Sequence, residues 1–326
     1  MQIWKLNEEA PLLLRVFLVE PIHPDAVAYL QDHARVTVGD SFEPDYLIAR
    51  LKEADAVILR TRGRLSREVL AEARHLRVIG KHGIGLDNVD VDAARELGIP
   101  VVYTPTDNVQ SVAEHAVAMM LALSRRFAAA DRAVRSGDWQ IRERERPRDL
   151  AGKTLGLVGA GRIGTQIGMV CRHGFAMNII YFDAVANTTL EESCCARRVP
   201  LDELCRTADF VSVHLPLTEG TRGIIGRDAI ALMKPSAYVI NVARGGVIDE
   251  AALADALREQ RIAGAGIDVF SVEPVPPDHP FLSLPNALLT PHTAGLSEES
   301  GRRMAMTVSQ DVVRVLKGEP PRFPVP

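Results

Sequence analysis

The sequence is poor in cysteine and contains no long uninterrupted hydrophobic run. Its 4 cysteines, among 326 residues, match neither a CxxC pair nor the Cys/His spacing of a zinc site. We therefore expect reduced thiols and no bound metal. No stretch approaches the roughly 20 apolar residues that a membrane-spanning helix needs, so we expect no membrane partner.

The chain also lacks a strong excess of charge of either sign. It carries 38 Lys and Arg residues against 42 Asp and Glu residues, a formal net charge of −4 at pH 7. Nucleic-acid binding normally shows as a basic patch or tail, so we expect no nucleic-acid partner. The first residues, MQIWKLNEEAPLLLRVFLVE, place acidic groups ahead of a short apolar run. A secretory signal needs a basic start and a longer apolar stretch, so the expected location is the cytoplasm.

Composition and length indicate a folded chain with two domains. The chain is 47% hydrophobic and 25% charged, which is typical of a globular protein, and 326 residues suffice for two domains of ordinary size. The first hundred residues alternate short apolar runs at 12–20, 36–38 and 56–60 with amphipathic segments at 25–33 and 44–53. Such alternation predicts βαβ units and a parallel sheet with helices on both faces.

A long helix and a second α/β alternation follow. Residues 108–136 predict one continuous helix, with Ser111 and Glu114 spaced as a capping box and Gly137 at its end. Later runs typical of strands, several leading into helices, are TLGLVGAGRIGTQIG, NIIYFD, DFVSVHLP, AYVINVAR and IAGAGIDVF. The last predicted helix, at 297–317, lies beyond this alternation. We therefore expect a second domain inserted into the first, with the final helix returning to the first domain.

A glycine-rich turn in the second domain predicts a dinucleotide site. Gly159, Gly161 and Gly164 form a GxGxxG pattern directly after an apolar strand and directly before a helix. The first glycine permits a tight turn, the second admits a pyrophosphate close to the backbone, and the third lets helix and strand touch. The helix N-terminus adds N–H groups for the phosphates. Arg162, at the helix start, is placed either to meet a phosphate oxygen or to be solvated.

The choice of NAD over NADP rests on Asp183. This residue ends the strand NIIYFD, 19 residues after Gly164. The spacing is close to the roughly 20 residues expected for a carboxylate that binds the ribose hydroxyl groups. A carboxylate repels a 2′-phosphate, and the neighbouring Ala184 adds no cation, so NAD is favoured. The alternative is a carboxylate that merely ends a strand.

Three later loops each follow an apolar strand and carry a charged or titratable group. The loops are NVARGGVID, GIDVFSVEP and LLTPHTAG, and the groups are Arg244, Asp268, Glu273 and His292. The carboxyl ends of parallel strands border the ligand crevice, so we expect these groups to converge. A guanidinium binds a carboxylate and polarises a keto oxygen, an imidazole transfers a proton, and a carboxylate favours the protonated imidazole. Taken singly, each residue also has a purely structural explanation, such as a turn or an exposed loop charge.

Seven stretches resemble the D-isomer-specific 2-hydroxyacid dehydrogenases, the family that includes phosphoglycerate, glyoxylate/hydroxypyruvate and D-lactate dehydrogenases. They are GKHGIGLDNVDVDAARELGIPV, NVQSVAEHAVAMMLAL, LAGKTLGLVGAGRIG, DFVSVHLPLTEGTRGIIG, MKPSAYVINVARGGVIDEAALADAL, GAGIDVFSVEP and NALLTPHTAG. The resemblance implies an α/β fold of two doubly wound parallel-sheet domains. A Rossmann NAD-binding domain at 107–294 would be inserted into a flavodoxin-like substrate domain formed by 1–106 and 295–326. It also implies a homodimer in which the helix near Ser111 forms much of the contact, with Trp139 near the partner subunit.

The resemblance also assigns roles to individual residues. Arg244 would bind and polarise the substrate, His292 would be the acid and base, and Glu273 would be the partner of His292. The cofactor-binding residues would be Gly159, Gly161, Arg162, Ile163, Gly164, Asp183, His214, Pro216, Val242, Ala243 and Asp268, the last facing the nicotinamide carboxamide. The substrate-binding residues would be Arg60, Lys81, His82 and Gly83.

The substrate-binding residues are expected to act in two ways. Backbone N–H groups around His82 and Gly83 would hold a carboxylate, and the cations Arg60 and Lys81 would anchor a further anionic group. Two positions depart from the family pattern. Lys81 stands where the phosphoglycerate members commonly have arginine, and His82 stands where a small residue is usual.

The predicted function is reversible hydride transfer between NAD(H) and C2 of a small 2-hydroxy or 2-keto acid. By resemblance the enzyme is D-specific, with a substrate similar to 3-phosphoglycerate or hydroxypyruvate. Formate is disfavoured, because formate dehydrogenases of this superfamily place glutamine where Glu273 stands. A different class also fits the sequence, namely an NAD(H)-sensing, corepressor-like dimeric scaffold on the same fold.

Overall fold

A computed structural model describes residues 14–326, which form two α/β units, each with its own parallel sheet. Unit 1 comprises the chain up to Asn108 together with Glu298–Pro326, and unit 2 comprises Val109–Ser297. The first segment of unit 1 thus ends at residue 108, where 106 was predicted, and its second segment begins at residue 298, where 295 was predicted. The first two residues of the apolar run predicted at 12–20 lie outside the described residues, as does the acidic segment on which the secretory signal was rejected.

Unit 1 has the strand order of a flavodoxin-like fold. Its strands are β1 (Arg15–Leu18), β2 (Arg35–Val38), β3 (Ala56–Leu59), β4 (Val78–Lys81) and β5 (Val101–Tyr103). Its helices, numbered along the whole chain, are α1 (Pro24–Gln31), α2 (Pro44–Leu51), α3 (Arg67–Ala71), α4 (Val91–Glu96) and α13 (Glu298–Leu316). The parallel strands lie in the order β2-β1-β3-β4-β5. This is the flavodoxin order, so the prediction for this domain is confirmed.

The C-terminal helix α13 is part of the core of unit 1. Val308 and Val312, both fully buried, pack in one apolar cluster with Ile58 of β3. A Cβ atom added to Gly80 of β4 would lie within 2.9 Å of the side chains of Val308 and Val312, so the absence of a side chain there lets α13 approach the sheet closely. The final helix therefore packs on the sheet of unit 1.

Unit 2 has a Rossmann sheet. Its strands are β6 (Thr154–Val158), β7 (Asn178–Phe182), β8 (Arg197–Arg198), β9 (Phe210–Val213), β10 (Tyr238–Asn241), β11 (Gly264–Ile267) and β12 (Ala287–Leu289). Its helices are α5 (Val109–Ser124), α6 (Phe127–Arg135), α7 (Ile141–Arg144), α8 (Arg162–Phe175), α9 (Thr188–Cys194), α10 (Leu201–Thr207), α11 (Arg227–Ala231) and α12 (Glu250–Arg258), with a 3-10 helix at Pro280–Ser283. The parallel strands run in the order β12-β11-β10-β9-β6-β7-β8. Counted from β6, this is the order 3-2-1-4-5-6 extended by a seventh strand, which confirms the predicted fold.

The predicted continuous helix at 108–136 is wrong. The chain instead forms α5 and α6, separated at Arg126, which adopts a left-handed backbone with φ 54°. The predicted capping box is also wrong, because Ser111 lies inside α5, and Glu114 accepts a hydrogen bond from the side chain of Gln110. Neither the break nor the start of α5 interrupts the apolar pattern, which is why the pattern misses both. Gly137 follows the end of α6 with φ 76°, as predicted.

Within residues 14–326, no helix combines the length and the apolar character needed to cross a membrane.

Candidate active site

The glycine-rich turn lies where the strand order of unit 2 reverses. Strands β6 and β9 are neighbours in the sheet although they are far apart in sequence, and ligands of open α/β sheets bind at such a switch point. Gly159 follows β6 with φ 99°, and His214 follows β9. A Cβ atom added to Gly159 would lie 2.9 Å from the carbonyl carbon of His214. Both the backbone angle and this close approach therefore require glycine at residue 159.

The other two glycines also fit the roles that a pyrophosphate site gives them. A Cβ atom added to Gly164 would overlap the carbonyl oxygen of Gly159, so helix α8 can touch the turn only with glycine there. A Cβ atom added to Gly161 would meet no heavy atom within 4 Å, which leaves open space beside the backbone. Helix α8 begins at Arg162, and the N–H groups of its first turn have no acceptor inside the helix. Arg162 is exposed and Ile163 is half-buried at this helix start.

Asp183 is tied to the glycine turn by a hydrogen bond. Its Oδ2 accepts from the backbone N–H of Ala160 at 2.7 Å, and its Oδ1 accepts from the N–H of Val185 at 3.2 Å. The end of β7 and the turn after β6 therefore lie side by side. This is the place at which a ribose attached to a bound pyrophosphate would be expected.

The sequence analysis missed a cation beside Asp183. Arg198, on the neighbouring strand β8, donates hydrogen bonds to the carbonyl oxygens of Asp183 and Ala184, at 3.0 and 2.7 Å. The adjacent residue Ala184 is uncharged, but the sheet brings in a guanidinium from 15 residues further along. In the Rossmann strand order 3-2-1-4-5-6, β8 is the third strand and pairs with β7, which Asp183 directly follows. That order could have predicted that a residue of β8 lies beside Asp183.

The remaining predicted cofactor residues lie on the loops after β9 and β10. Burial lowers the pKa of His214 to about 3, and its Nε2 lies 2.9 Å from the hydroxyl oxygen of Ser212. The Nδ1 atom of His214 is buried and has no hydrogen-bond partner among the described residues. Pro216 accepts a hydrogen bond from Thr221 through its carbonyl, Val242 is buried, and Ala243 accepts a bond from the side chain of Arg244.

The groups predicted for proton transfer and substrate polarisation follow adjacent strands. Arg244 comes after β10, Glu273 follows β11 and His292 follows β12, and these three strands are parallel neighbours. Nδ1 of His292 lies 2.8 Å from Oε2 of Glu273, while Oε1 of Glu273 accepts a hydrogen bond from the N–H of Phe270 at 2.9 Å. The carboxylate therefore faces the imidazole ring in a fixed orientation.

The charges of His292 and Arg244 both act on the Glu273 carboxylate. Burial raises the pKa of Glu273, but the hydrogen bonds from His292 and from the Phe270 N–H, together with the charges of His292 and Arg244, lower it below its ordinary value. The carboxylate form of Glu273 is therefore favoured beside the imidazole.

A close backbone approach holds Arg244 in place. A Cβ atom added to Gly245 would overlap the carbonyl group of Phe270, so only glycine lets the Arg244 turn pack against the loop that leads to Glu273. The side-chain amide of Asn241 donates to the carbonyl oxygen of Arg244 at 3.0 Å. The two loops therefore fix each other through backbone contact.

The structure gives Asp268 partners other than a nicotinamide carboxamide. Asp268 is fully buried, and its carboxylate accepts hydrogen bonds from the hydroxyl of Thr290 and from the N–H groups of Thr293 and Ala294, at 2.6, 2.8 and 2.9 Å. All three donors belong to the loop that carries His292. The sequence analysis misses this use of Asp268, because it depends on how one loop folds over another.

In unit 1 the predicted cations lie around the loop that follows β3. The carboxylate of Glu20 accepts hydrogen bonds from the N–H groups of Arg60 and Arg62, at 3.2 and 2.8 Å. The ammonium of Lys81 is buried, and it donates to the carbonyl of Arg60 and, at 2.6 Å, to the side chain of Asn88. Lys81 therefore braces the backbone of Arg60.

The N–H groups of His82 and Gly83, which were predicted to hold a carboxylate, already have acceptors within unit 1. The N–H of His82 already donates to the carbonyl of Leu59, and the N–H of Gly83 donates to the hydroxyl of Thr104, each at 2.9 Å. Ile84 and Gly85 follow in the same turn, and their N–H groups have no acceptor among the described residues. Burial, aided by the charge of Arg60, lowers the pKa of His82 to about 4, so its ring is neutral at pH 7.

No group of three or more His, Cys, Asp or Glu side chains in residues 14–326 is placed to hold a metal ion.

Comparison with protein families finds one model that covers more than half of the chain. The D-isomer specific 2-hydroxyacid dehydrogenase, NAD binding domain, matches residues 117–294. The chain is 41% identical over 308 residues to D-3-phosphoglycerate dehydrogenase of Methanocaldococcus jannaschii, which is 94% of this chain and 58% of that protein. It therefore spans little more than half the length of that relative. It is 37% identical over 313 residues to glyoxylate reductase of Korarchaeum cryptofilum, 94% of each chain.

Solved structures show the same fold along almost the whole chain. A protein of Thermus thermophilus superposes with a TM-score of 0.89 at 35% identity, covering 96% of this chain and 100% of the other. D-lactate dehydrogenase of Aquifex aeolicus, solved with NAD and lactic acid, gives a TM-score of 0.85 at 28% identity, covering 94% and 96%.

Proposed function

Because the chain belongs to the D-isomer specific 2-hydroxyacid dehydrogenase family, we propose that it catalyses reversible hydride transfer between NAD(H) and C2 of a small 2-hydroxy or 2-keto acid. The observation that carries this proposal is the 2.8 Å contact between His292 and Glu273. The charge of Arg244 acts on the same carboxylate. An acid, its orienting carboxylate and a guanidinium are the groups that carbonyl reduction requires.

NAD(H), when bound, supplies or accepts the hydride, and the residues present fit it. The turn at Gly159 and Gly161 and the start of helix α8 would hold its phosphates, because there is open space beside Gly161 and the first N–H groups of α8 have no acceptor inside the helix. Asp183 would bind the ribose hydroxyl groups. We propose NAD as the preferred cofactor, since the Asp183 carboxylate would repel a 2′-phosphate.

His292 moves the proton. Its Nδ1 is occupied by Glu273, so Nε2 is the nitrogen that faces the chemistry. During reduction, the protonated ring donates from Nε2 to the keto oxygen. During oxidation, the neutral ring accepts the hydroxyl proton at the same atom. Glu273 fixes the ring plane, while Arg244 binds the substrate carboxylate and polarises the keto group.

Unit 1 is proposed to supply the remaining substrate contacts. Arg60 would anchor an anionic group, and its Nε atom is buried without a hydrogen-bond partner among the described residues. Lys81 would act mainly by fixing the backbone of Arg60, and His82 by fixing the turn. The N–H groups of Ile84 and Gly85 replace those of His82 and Gly83 as the proposed carboxylate ligands.

We propose that the chain forms homodimers through helix α6 and the segment after it. Phe127, Val134 and Trp139 are 58%, 54% and 67% exposed in the single chain. Three large apolar side chains exposed within one short segment favour burial against a partner. Light scattering of the wild type should give twice the chain mass, and Val134→Asp should give the single-chain mass.

The four cysteines are free thiols, which agrees with the proposed cytoplasmic location.

The experiment that tests the function is a panel of NADH oxidation assays. Glyoxylate, hydroxypyruvate, pyruvate, 2-ketoglutarate and phosphohydroxypyruvate would be compared for the wild type, Arg60→Ala and Lys81→Ala. We expect saturable oxidation with at least one substrate, and a selective loss with the more anionic substrates in both variants. A chain that binds NADH and dimerises but oxidises it with none of these substrates would instead be a dinucleotide-sensing scaffold.

A further inference from the structure

A chain of hydrogen bonds links helix α5 to the loop that carries His292. Nε2 of His115 lies 3.0 Å from the hydroxyl oxygen of Thr290, and that hydroxyl lies 2.6 Å from Oδ1 of Asp268. The direct distance from His115 to Oδ1 of Asp268 is 3.7 Å, too long for a hydrogen bond. The hydroxyl of Thr290 therefore bridges the imidazole and the carboxylate.

The direction of these bonds is fixed by chemistry. A carboxylate only accepts hydrogen bonds, so the single proton of the Thr290 hydroxyl points to Asp268. The Thr290 oxygen then accepts from His115, which requires a proton on Nε2 of that ring. The arrangement thus selects one tautomer of His115.

Asp268 transmits this arrangement to His292. Its carboxylate also accepts from the N–H groups of Thr293 and Ala294, and its backbone carbonyl accepts from the N–H of His292 at 2.8 Å. His292 itself has a left-handed backbone with φ 53°, a conformation that is unfavourable for a residue with a side chain. The bonds on both sides of His292 hold it in this conformation.

Helix α5 is a rigid support for His115. Met119 lies one helical turn after His115, and a Cβ atom added to Gly266 of β11 would lie 3.1 Å from the Met119 sulfur. Gly266 stands two residues before Asp268, so the missing side chain lets α5 pack closely against the strand that leads to that carboxylate. The position of His115 is therefore fixed relative to Asp268 by backbone elements.

We infer that His115 is a positioning residue for the proton-transferring His292, acting through Thr290 and Asp268. The inference rests on the proposed function, because it concerns the acid and base of that reaction. Without the donor on His115, the Thr290 oxygen loses a partner and the loop from Thr290 to Ala294 loses part of its anchor. Nε2 of His292 then occupies less often the position from which it can transfer a proton to or from the substrate oxygen.

Matched variants at two positions test this inference. His115→Leu and Thr290→Val remove the hydrogen bonds while keeping the approximate shape, whereas His115→Gln and Thr290→Ser keep a donor or a hydroxyl. We expect kcat with a 2-keto acid to fall about ten- to a hundredfold in the first pair, since small displacements of a catalytic group cost rates of that order. The second pair should regain most of the loss, and the KM for NADH should stay within about twofold of the wild type.

Non-additivity provides a second readout. His115 and Thr290 act through the same series of hydrogen bonds. The variant with both His115→Leu and Thr290→Val should therefore have a kcat no lower than that of the slower single variant. Gln110→Ala, also on α5, removes the hydrogen bonds that Gln110 makes with Glu114 and with Gln166 of α8. It leaves the bonds between His115, Thr290 and Asp268 in place, so it should keep the wild-type kcat. Independent, multiplying losses would contradict the inference, as would a kcat unchanged in His115→Leu.

Nitrogen-15 spectra of the histidine rings give a readout that needs no turnover. The wild-type ring of His115 should show the tautomer protonated at Nε2, and Thr290→Val should release that preference. The His292 signals should shift in both variants that remove hydrogen bonds. If the His292 signals shift while no substrate is turned over, the proposed function fails but the positioning inference stands. Unchanged His292 signals in His115→Leu and Thr290→Val would overturn it.

Discussion

Nδ1 of His292 lies 2.8 Å from Oε2 of Glu273, and this contact decides which ring nitrogen is available for chemistry. The other oxygen of Glu273 is held by the N–H of Phe270, so the carboxylate cannot rotate without losing a bond. Orientation of an imidazole by a hydrogen-bonded carboxylate is a general way to prepare it for proton transfer.

Removal of the imidazole tests the acid and base directly. His292→Ala should lower kcat by about 10²–10⁴, the usual contribution of a positioned proton donor. The dissociation constant for NADH should change little, because the residues proposed to hold the phosphates and the ribose lie on other loops. Steady-state kinetics and fluorescence titration of NADH measure the two quantities. A variant with full turnover would exclude His292 from proton transfer.

The pH dependence of the two directions should be opposite. Reduction needs the protonated ring and oxidation the neutral ring, so reduction should be favoured on the acidic side and oxidation on the alkaline side. Initial rates measured in both directions across the acidic and alkaline range give the two profiles. Glu273→Gln removes the carboxylate that orients the ring, so kcat should fall in both directions. An unchanged kcat in the variant would contradict the assigned role of Glu273.

Glu273 also contributes to stability above its own titration range. Its pKa is lower in the folded chain than its ordinary value, so the folded state favours the carboxylate form. This contribution is present above the unfolded pKa and is lost as the pH falls through the folded pKa.

Cofactor choice should depend on Asp183 and, once that carboxylate is gone, on Arg198. Asp183→Ser removes the repulsion of a 2′-phosphate while Arg198 remains on the neighbouring carbonyl groups. We expect the ratio of kcat/KM for NADPH to that for NADH to rise by about tenfold or more, since this ratio measures differential binding. Adding Arg198→Ala should reverse much of the gain. An equal gain in the double variant would show that Arg198 has no part in it.

Acid should destabilise unit 1 through His82. The folded pKa is about 4 against an ordinary 6.5, so the unfolded chain binds the proton more readily between these values. Stability is therefore lost as the pH falls from 6.5 towards 4, by up to about 3 kcal/mol. His82→Gln should show a flatter dependence when urea unfolding is followed across this range. His214 adds a loss of the same sign, because its pKa is also lowered, to about 3. A slope as steep in the variant as in the wild type would contradict the assignment to His82.

The glycine after Arg244 should tolerate no side chain. In Gly245→Ala the added methyl would overlap the backbone of Phe270, so the loops carrying Arg244 and Glu273 must separate. We expect both a lower Tm and a loss of kcat. Gly174→Ala is the matched control, because a Cβ atom there meets nothing within 4 Å and alanine favours a helix by roughly 0.5–1 kcal/mol. Equal Tm values for the two variants would contradict the close packing at Gly245.

The features that local pattern determines were predictable from the sequence. Strands such as β6 and β7, and the GxGxxG turn between β6 and α8, follow from apolar runs and glycine spacing. The grouping of Glu273 with His292 follows from the rule that parallel strands end at one edge.

Features that depend on contacts between distant segments were not predictable. The left-handed break at Arg126 has no glycine to mark it, and Arg198 reaches Asp183 only because β8 pairs with β7. The bonds that occupy the N–H groups of His82 and Gly83 come from residues 59 and 104. These partners are set by tertiary structure, which spacing along the chain does not encode.

The packing of α13 against β4 has a consequence for the order of folding during synthesis. Unit 2 is one continuous segment, so all of its strands and helices have emerged once Ser297 has been made. One face of the unit 1 sheet is covered only in part, by α1, until the residues beyond Ser297 have been made. Since domains generally fold as units, unit 2 can complete its fold first. The residues up to Asn108, although they are made earlier, complete theirs only after α13 has been made.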